Sequence, residues 1–284
     1  MNLITYLKSM KNYIFKFTNL AKFIFELIKY FFIKINKIKP NHYLDKKITI
    51  SLTAKRSRFF SLHLVLNSIF NQTFHPDEII LWIEKKDKRH IPNRILSLKK
   101  MGLKIFFCTN FKSYNKIIHT VKIRKNNYII TFDDDIIYNK DSVKFLLSKA
   151  KKFKGKIIAN RIHKIKLKNN NPIKYKNWIW NSQSLTAHRL NFQTGVYGVL
   201  YPPNSFHKDI YKNKIFQRLS PTADDLWLYW MVRLNKKFIV WSEFKKRNTE
   251  VINFDDNDLR KINIFNKNND NQIKNLIKYY GFPK

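Results

Sequence analysis

Short apolar runs alternate with longer amphipathic segments between Lys47 and Phe132, and no other feature of the chain constrains its fold as strongly. Runs such as ITISLT and NYIIT are rich in β-branched residues and have the length of buried strands. The segments between them carry apolar residues at helical spacing. Strands that alternate with helices form a mainly parallel sheet covered by helices on both faces. The sequence therefore predicts an α/β fold.

The pattern also predicts the individual elements. Strands are expected at residues 47–54, 79–83, 103–109 and 127–132, with helices at 60–74, 91–102 and 113–125, the second ended by Gly102. Further along, we expect a helix at 141–153, a strand at 155–165, a loop at 166–184 and a helix within 220–240 that has Thr222 as its N-cap. The α/β region at 46–248 follows a helical extension at 1–45, and the tail at 249–284 receives no assignment.

The chain is strongly basic, with 56 Lys and Arg residues against 19 Asp and Glu residues and a formal net charge of +37. Such a charge is typical of proteins that bind nucleic acid or an anionic membrane surface. A compositional bias toward Lys, Asn, Ile and Phe explains it equally well. Because the sequence has neither a paired Cys/His zinc motif nor an aromatic RNA-binding motif, no nucleic-acid partner is expected.

Two features bear on the location of the protein. Cys108 is the only cysteine, so a disulfide within the chain is excluded and a reducing, cytoplasmic compartment is expected. Residues 1–40 contain no run of about 20 uncharged apolar residues and no small-residue cleavage site, so they predict neither a spanning helix nor a signal peptide. Apolar residues recur there at helical spacing: Phe15, Leu20, Phe23, Ile24, Leu27, Ile28, Phe31 and Phe32. Such a basic helix is expected to lie on the inner surface of an anionic membrane, with packing on the protein's own core or on another subunit as alternatives.

Three consecutive aspartates, Asp133 to Asp135, follow the fourth predicted strand. Ligands bind parallel sheets beyond the carboxyl ends of the strands, so the triplet lies where a functional site is expected. Adjacent carboxylates repel one another unless a cation neutralises them. A hard divalent ion, Mg²⁺ or Mn²⁺, is commonly held by one or two carboxylates together with substrate phosphates. Lys112 and Lys116, in the preceding helical region, are candidates for binding the same phosphates.

A second acidic pair, Asp224 and Asp225, falls in the first turn of a predicted helix. Carboxylates at this position stabilise the positive end of the helix dipole. The same dipole keeps a carboxylate ionised, which is the state that a general base requires. The residues alone leave both interpretations open.

Four segments of the chain resemble GT-A glycosyltransferases of the family 2 type, most of all the bacterial members that assemble surface polysaccharides. They are ISLTAKRSRFFSLHLVLNSIFNQTFHPDEIILWIE, FDDDIIY, TGVYGVLYPP and TADDLW, and the likeness covers residues 47–237. It implies a GT-A fold with a nucleotide-sugar half at 46–140 and an acceptor half at 141–248. It also implies an inverting, metal-dependent transfer of a sugar from a nucleotide diphosphate donor, with a UDP-sugar favoured, to a hydroxyl of a glycan or lipid-linked acceptor.

The resemblance further implies roles for individual residues. Asp225 matches the catalytic base, with Asp224 as its acidic neighbour. Asp133 and Asp135 match the DxD motif, with Asp135 as a metal ligand and Asp133 near the donor ribose, and both are candidate metal ligands. With Lys112 and Lys116 from the charge argument, the expected donor-binding residues are Thr53, Glu84, Asp133, Asp134, Thr194, Gly195 and Gly198. Candidates for stacking on acceptor sugars are Trp178, Trp180, Tyr197 and Tyr201, and His163, His188 and His207 are either further ligands or ordinary loop and core residues.

Three other functions compete with this interpretation. A nucleotidyltransferase uses the same sheet and the same metal chemistry, although the sequence has no glycine-rich phosphate loop and carries a second acidic helix start. A basic nucleic-acid-binding protein explains the net charge but leaves the strand-end aspartates without a role. An inactive relative is disfavoured, because acidic groups stand in both expected places.

Overall fold

The structure is a computed structural model that describes residues 35–251 and 268–283, together with residues 21, 24, 25, 28, 29 and 33. Most of the predicted N-terminal helix, and residues 252–267 of the tail, lie outside this description. Ile24, Phe25 and Ile28 are helical and expose 46%, 66% and 56% of their surface. Among the described residues, no helix is both long and apolar enough to cross a membrane.

Within the described part of the chain, seven strands form a central sheet in the order β12-β6-β11-β4-β1-β2-β3. These strands are β1 (Ile48–Thr53), β2 (Glu78–Glu84), β3 (Leu103–Cys108), β4 (Tyr128–Thr131), β6 (Ile157–Ala159), β11 (Val199–Tyr201) and β12 (Ile239–Trp241). All neighbouring pairs are parallel except those of β11, which runs antiparallel to both β4 and β6. The first four strands lie where the apolar runs predict them, and the predicted mainly parallel α/β sheet is confirmed.

Shorter strands and helices complete the described fold. Outside the central sheet are β5 (Ile136–Ile137), β7 (Ile162–Lys164), β8 (Leu167–Lys168), β9 (Asn171–Pro172), β10 (Asn191–Gln193) and β13 (Thr249–Glu250). The helices are α1 (Phe59–Phe70), α2 (Asn93–Leu96), α3 (Asn115–Ile123), α4 (Ser142–Lys152), α5 (Asn213–Leu219), α6 (Asp224–Leu234) and α7 (Asn268–Tyr280). A short 3₁₀ segment follows α2 and ends at Gly102, whose φ of 109° is the left-handed conformation expected of a glycine helix end.

The two faces of the sheet carry separate hydrophobic cores. Because side chains alternate along a strand, Ile48, Ile50 and Leu52 of β1 point to one face, where they pack with residues of α1 and α4. Thr49 and Ser51 point to the opposite face, which is covered by apolar residues of α3, α6 and α7. Every residue of α6 from Leu226 to Arg233 is buried, so the core fixes the position of this helix and of its first turn.

Three local predictions are wrong. The strand expected at 155–165 is divided into β6 and β7, because the buried Asn160 side chain donates to Ser142 O and Tyr197 O and turns the chain between them. The expected loop at 166–184 contains the hairpin of β8 and β9. Thr222 is not the N-cap of α6: Ala223 holds that position, and the Thr222 hydroxyl instead accepts a hydrogen bond from Gln272 Nε2 at 3.0 Å.

Candidate functional site

The candidate site lies at the carboxyl edge of the central sheet. Asp133 to Asp135 follow β4 after a single residue, as the sequence predicts. Because β11 is antiparallel to β4, with Val199 opposite Thr131, the residues that precede β11 reach the same edge. Gly195 to Gly198 form that preceding loop. Two segments about sixty residues apart in the sequence therefore meet at the end of β4.

Lys116 joins the two acidic clusters. Its Nζ lies 2.7 Å from Asp133 Oδ1 and 3.0 Å from Asp224 Oδ2, and its side chain is only 5% exposed. The Ser51 hydroxyl donates to Lys116 O at 2.5 Å, which fixes the first turn of α3 against β1. The predicted metal and base clusters are thus neighbours, separated by one buried ammonium group.

Asp225 is held by the loop that precedes β11. The Gly195 N–H lies 3.1 Å from both Asp225 Oδ1 and Asp225 Oδ2. A Cβ on Gly195 would stand 3.2 Å from Asp225 Oδ1, 3.3 Å from Lys116 Nζ and 3.7 Å from Asp133 Oδ1. The absence of a side chain at this position lets the backbone approach all three charged groups.

Arg58 is a member of the site that the sequence analysis did not identify. It lies between β1 and α1, ion-pairs with Asp134, and places its guanidinium nitrogen 3.0 Å from Asp135 Oδ2. Burial opposes its charge, but the neighbouring aspartates outweigh this effect and raise the pKa of Arg58 above its ordinary value. The only signal in the sequence is a pair of arginines after the first strand, which does not reveal a partner 76 residues away.

The five carboxylates of the site differ in their access to solvent. The side chains of Asp134 and Asp224 are 9% and 12% exposed; Asp134 is paired with the half-buried Arg58 and Asp224 with the buried Lys116. Those of Asp133 and Asp135 are 25% and 33% exposed, and Asp225 is half-buried. Asp134 and Asp224 are therefore placed to order the site, whereas Asp133, Asp135 and Asp225 are open to a ligand.

The electrostatic environment raises the pKa of two of the accessible carboxyls. Burial, reinforced by Asp224 and opposed by Lys116, raises the pKa of Asp225 to about 7. Burial also raises the pKa of Asp135 to about 7, with Arg58 opposing the shift. For Lys116 burial alone would lower the pKa, but Asp133, Asp224 and Asp225 raise it well above its ordinary value, so this group stays charged.

Other predicted site residues are less closely tied to the acidic clusters. Thr53 and Glu84 lie at the same sheet edge, where the Thr53 hydroxyl donates to Trp82 O at 3.0 Å and Glu84 pairs with Lys86 at 2.8 Å. Lys112 is exposed, and its backbone has a positive φ of 56°. Thr194, which adjoins Gly195, accepts a 2.7 Å hydrogen bond from Arg161 Nε.

The aromatic and histidine candidates separate into core and surface. Trp178 and Tyr201 are buried in the core, whereas Trp180 is 39% exposed and Tyr197 is half-buried. His163 is buried, its Nδ1 accepts from Asn181 N, and burial lowers its pKa to about 4. Within the described ranges, no group of three or more His, Cys, Asp or Glu side chains is arranged to hold a metal ion by itself.

No model of a known protein family matches the sequence, and no curated protein matches it. Solved structures do share its architecture. One is the mannosyltransferase PcManGT from Pyrobaculum calidifontis in complex with GDP-Man and Mn²⁺, with 8% identity over 92% of this chain and 71% of that chain and a TM-score of 0.53. Two others have lower TM-scores: S. aureus TarS 1-349 (0.49, 16% identity, 71% and 59% of the two chains) and the inositol-1-phosphate CTP transferase from T. maritima (0.45, 11% identity, 73% and 90%).

The similarity to PcManGT extends over nearly the whole chain. At 8% identity it establishes the fold rather than the activity. The chain has a GT-A fold.

Proposed function

We propose that this protein is a metal-dependent glycosyltransferase, which moves a sugar from a nucleoside diphosphate donor to an acceptor hydroxyl with inversion at the anomeric carbon. One observation carries the proposal. Lys116 brings the strand-end triplet and the acidic start of α6 together at the carboxyl edge of a GT-A sheet. A nucleotide diphosphate site and a base are the two parts that such a transfer needs, and they must be adjacent.

Asp225 is the proposed base. It accepts the proton of the acceptor hydroxyl while that oxygen bonds to the anomeric carbon, and the bond from this carbon to the diphosphate oxygen breaks. A base works best when its pKa lies near the working pH, and the pKa of Asp225 is raised to about 7. Gly195 N–H contacts both carboxylate oxygens and so fixes the orientation of the base.

Asp133 and Asp135 fit a divalent ion. Their carboxylates are hard oxygen ligands, they are the more exposed members of the triplet, and each is engaged by a cation through one oxygen. Five carboxylates in the site face two cations, Lys116 and Arg58, so an anionic diphosphate approaches more favourably once Mg²⁺ or Mn²⁺ has bound. The ion would offset the negative charge of the leaving diphosphate.

The remaining assignments extend the proposal. Thr53 and Glu84 contact the nucleoside of a UDP-sugar, Lys112 and Lys116 attract its phosphates, and Thr194, Gly195 and Gly198 form the loop between donor and acceptor. The acceptor is a glycan or lipid-linked glycan of a cell-surface pathway. The basic N-terminal segment holds the enzyme on the inner surface of the membrane.

The test is calorimetric titration with UDP and, separately, GDP, with and without Mn²⁺. We expect binding of one diphosphate that needs Mn²⁺ and that falls at least tenfold in Asp135→Asn. Asp45→Asn is the matched control, because Asp45 is exposed and precedes β1 at the opposite edge of the sheet. In Asp225→Asn, diphosphate binding should persist while transfer from the matching nucleotide sugar is lost.

Two results would contradict the proposal. One is diphosphate binding that ignores both Mn²⁺ and Asp135. The other is release of inorganic diphosphate from a nucleoside triphosphate with no use of nucleotide sugars, which would identify a nucleotidyltransferase.

A further inference from the structure

A cavity of about 340 Å³ lies beside the loop that holds Asp225. Its wall includes Asn160, Arg161, Tyr197, Trp241, Phe244 and Lys245. None of the residues proposed above to bind the donor or the metal lines it. The cavity is therefore a space that the proposed donor site does not use.

The cavity and the proposed base share one loop. Arg161, on the cavity wall, donates from Nε to Thr194 Oγ1 at 2.7 Å, and its carbonyl accepts from Thr194 N at 3.2 Å. The next residue, Gly195, donates to Asp225. Tyr197, also on the wall, ends the same short 3₁₀ turn. A molecule in the cavity would thus contact the loop that orients Asp225.

The wall is rigid and has the chemistry of a sugar site. Asn160 is fixed on several sides, since its carbonyl accepts from Trp241 Nε1 at 3.1 Å and its Oδ1 accepts from the Ser242 hydroxyl at 2.6 Å. Sugars bind where aromatic side chains and charged or polar groups converge, because their CH faces pack on rings while their hydroxyls form hydrogen bonds. The Asn160 amide is already used within the protein, so it shapes the wall. The aromatic groups here are those of Tyr197, Trp241 and Phe244.

The charged residues of the cavity wall are both basic. Arg161 lies with its guanidinium carbon 5.3 Å from the centre of the Tyr197 ring, and Lys245 is exposed at the rim. No Asp or Glu is among the lining residues. Glu243, the acidic residue closest in sequence to Lys245, is ion-paired with Lys149. Two cations contribute little to the binding of a neutral sugar, whereas a carboxylate or phosphate group would form ion pairs with both.

We propose that this cavity binds the acceptor and that it selects an acceptor sugar carrying an anionic group. This inference rests on the proposed transferase activity, and it adds the substrate class. The anion lies between Arg161 and Lys245, the ring packs on the aromatic wall, and the attacking hydroxyl extends along the Gly195 to Tyr197 turn toward Asp225.

Saturation-transfer NMR tests the proposal with three small probes: methyl β-D-glucuronide, glucose 6-phosphate and the neutral methyl β-D-glucoside. We expect at least one anionic probe to bind the full-length protein about tenfold more tightly than the neutral glycoside, as a charged hydrogen bond of about 1.5 kcal/mol implies. The two anionic probes separate a carboxylate from a phosphate preference. Equal binding of all three, or binding of none, overturns the inference.

Variants of the cavity wall show where the anionic probe binds, and a conservative change at an exposed residue leaves the fold intact. Lys245→Gln changes an exposed side chain, so it should weaken the anionic probe about threefold to tenfold without altering the fold, and Arg161→Gln should weaken it more. Lys176→Gln, an exposed lysine outside the cavity, is the control. Unchanged affinity in Lys245→Gln and Arg161→Gln also overturns the inference.

Titration with the preferred nucleoside diphosphate and Mn²⁺ is repeated on each variant to separate the two proposals. If the diphosphate binds and the anionic glycosides do not, the acceptor inference fails while the proposed function stands. If the glycosides bind and the diphosphate does not, the proposed function fails and the cavity is an acidic-sugar site in a protein with another activity.

Discussion

Gly195 and Gly198 lie in one loop, but different physical constraints require a glycine at each position. At Gly195 the constraint is the space next to Asp225 and Lys116, where a Cβ would crowd the charged groups. Two constraints act at Gly198: its backbone has a positive φ of 100°, and a Cβ there would lie 2.3 Å from the ring of Phe132. The first glycine serves the site, and the second holds the loop against the residue that precedes the aspartate triplet.

Replacing Gly198 with alanine should destabilise the fold by about 3 kcal/mol, because an unfavourable positive φ adds to a steric clash with a buried ring. Gly155→Ala is the matched control, since Gly155 also has a positive φ of 71° but nothing lies within 4 Å of the added Cβ. It should cost only about 1 kcal/mol. Urea unfolding of both variants checks the difference, and equal losses would show that the Phe132 contact contributes nothing.

The raised pKa of Asp225 predicts the pH dependence of transfer. A base acts in its ionised form, so a carboxyl with a pKa of about 7 is mostly protonated and inactive at pH 6 and mostly ionised at pH 8. We expect kcat/KM to rise roughly tenfold per pH unit below pH 6 and to level off above pH 8. Initial rates across this range, with diphosphate affinity measured alongside, test the expectation. A flat profile would exclude Asp225 as the titrating base.

At the scale of elements, one buried carboxylate ties the starts of three strands to the end of a helix. Glu78, the first residue of β2, accepts from Thr49 of β1 at 2.7 Å and from Lys104 of β3 at 2.7 Å. It also accepts from Arg124 at the end of α3, the helix whose first turn supplies Lys116. These contacts hold the edge of the sheet opposite the site, so the two ends of α3 are both fixed by ion pairs.

Glu78→Gln should lower the free energy of unfolding by about 2 to 3 kcal/mol at pH 7. Burial opposes ionisation, but hydrogen bonds from Arg124, Lys104 and Thr49 prevail and lower the pKa of Glu78 to about 2. Its stabilising effect is therefore complete above the unfolded-state pKa of about 4.3 and is lost as the pH falls toward 2. Urea unfolding at pH 7, 4 and 3 should show the difference from wild type shrinking. Glu84→Gln, at the other end of the same strand and paired with an exposed lysine, should cost under about 1 kcal/mol at each pH.

The positions of the strands and helices can be predicted from the sequence, whereas the contacts between distant side chains cannot. The apolar runs of β1 to β4 and the stripes of α1 and α3 are local patterns, so their positions follow from the sequence. Arg58 and Gln272 could not be found in this way, because their partners lie 76 and 50 residues away and become neighbours only through the order of the strands and helices. The hairpin of β8 and β9, in a polar stretch without alternation, gave no periodic signal either.

At the scale of the whole molecule, α7 supports the start of α6, the helix that carries the proposed base. Gln272 of α7 accepts from Thr222 N at 3.1 Å and donates to the Thr222 hydroxyl at 3.0 Å, two residues before Asp224. Ile273 and Leu276 of α7 are buried in the same core as α6. No pattern in the sequence predicts the structure of residues 249–284, although α7 within them supports Asp224 and Asp225 at the centre of the proposed site.

Gln272→Leu should reduce kcat about tenfold and change KM for the nucleotide sugar by less than about twofold, because the start of α6 loses its support while the strand-end triplet keeps its place. Ile273→Val is the control: it removes one buried methylene from the same helix and should cost a similar stability of about 1 kcal/mol. Steady-state kinetics and urea unfolding of both variants separate positioning from stability. A kcat in Ile273→Val that falls as far as in Gln272→Leu would contradict the positioning role.

The support of α6 by α7 also sets an order of events during biosynthesis. Thr222 leaves the ribosome about fifty residues ahead of Gln272. A nascent chain can therefore form its sheet and its strand-end triplet before Gln272 supports the start of α6, where Asp224 and Asp225 lie. During that interval Asp224 is held by its ion pair with Lys116 and Asp225 by the Gly195 N–H, without the support that Gln272 gives to Thr222. A chain interrupted in translation before α7 would thus contain the strand-end triplet without a supported α6, and we expect it to be inactive in the proposed transfer.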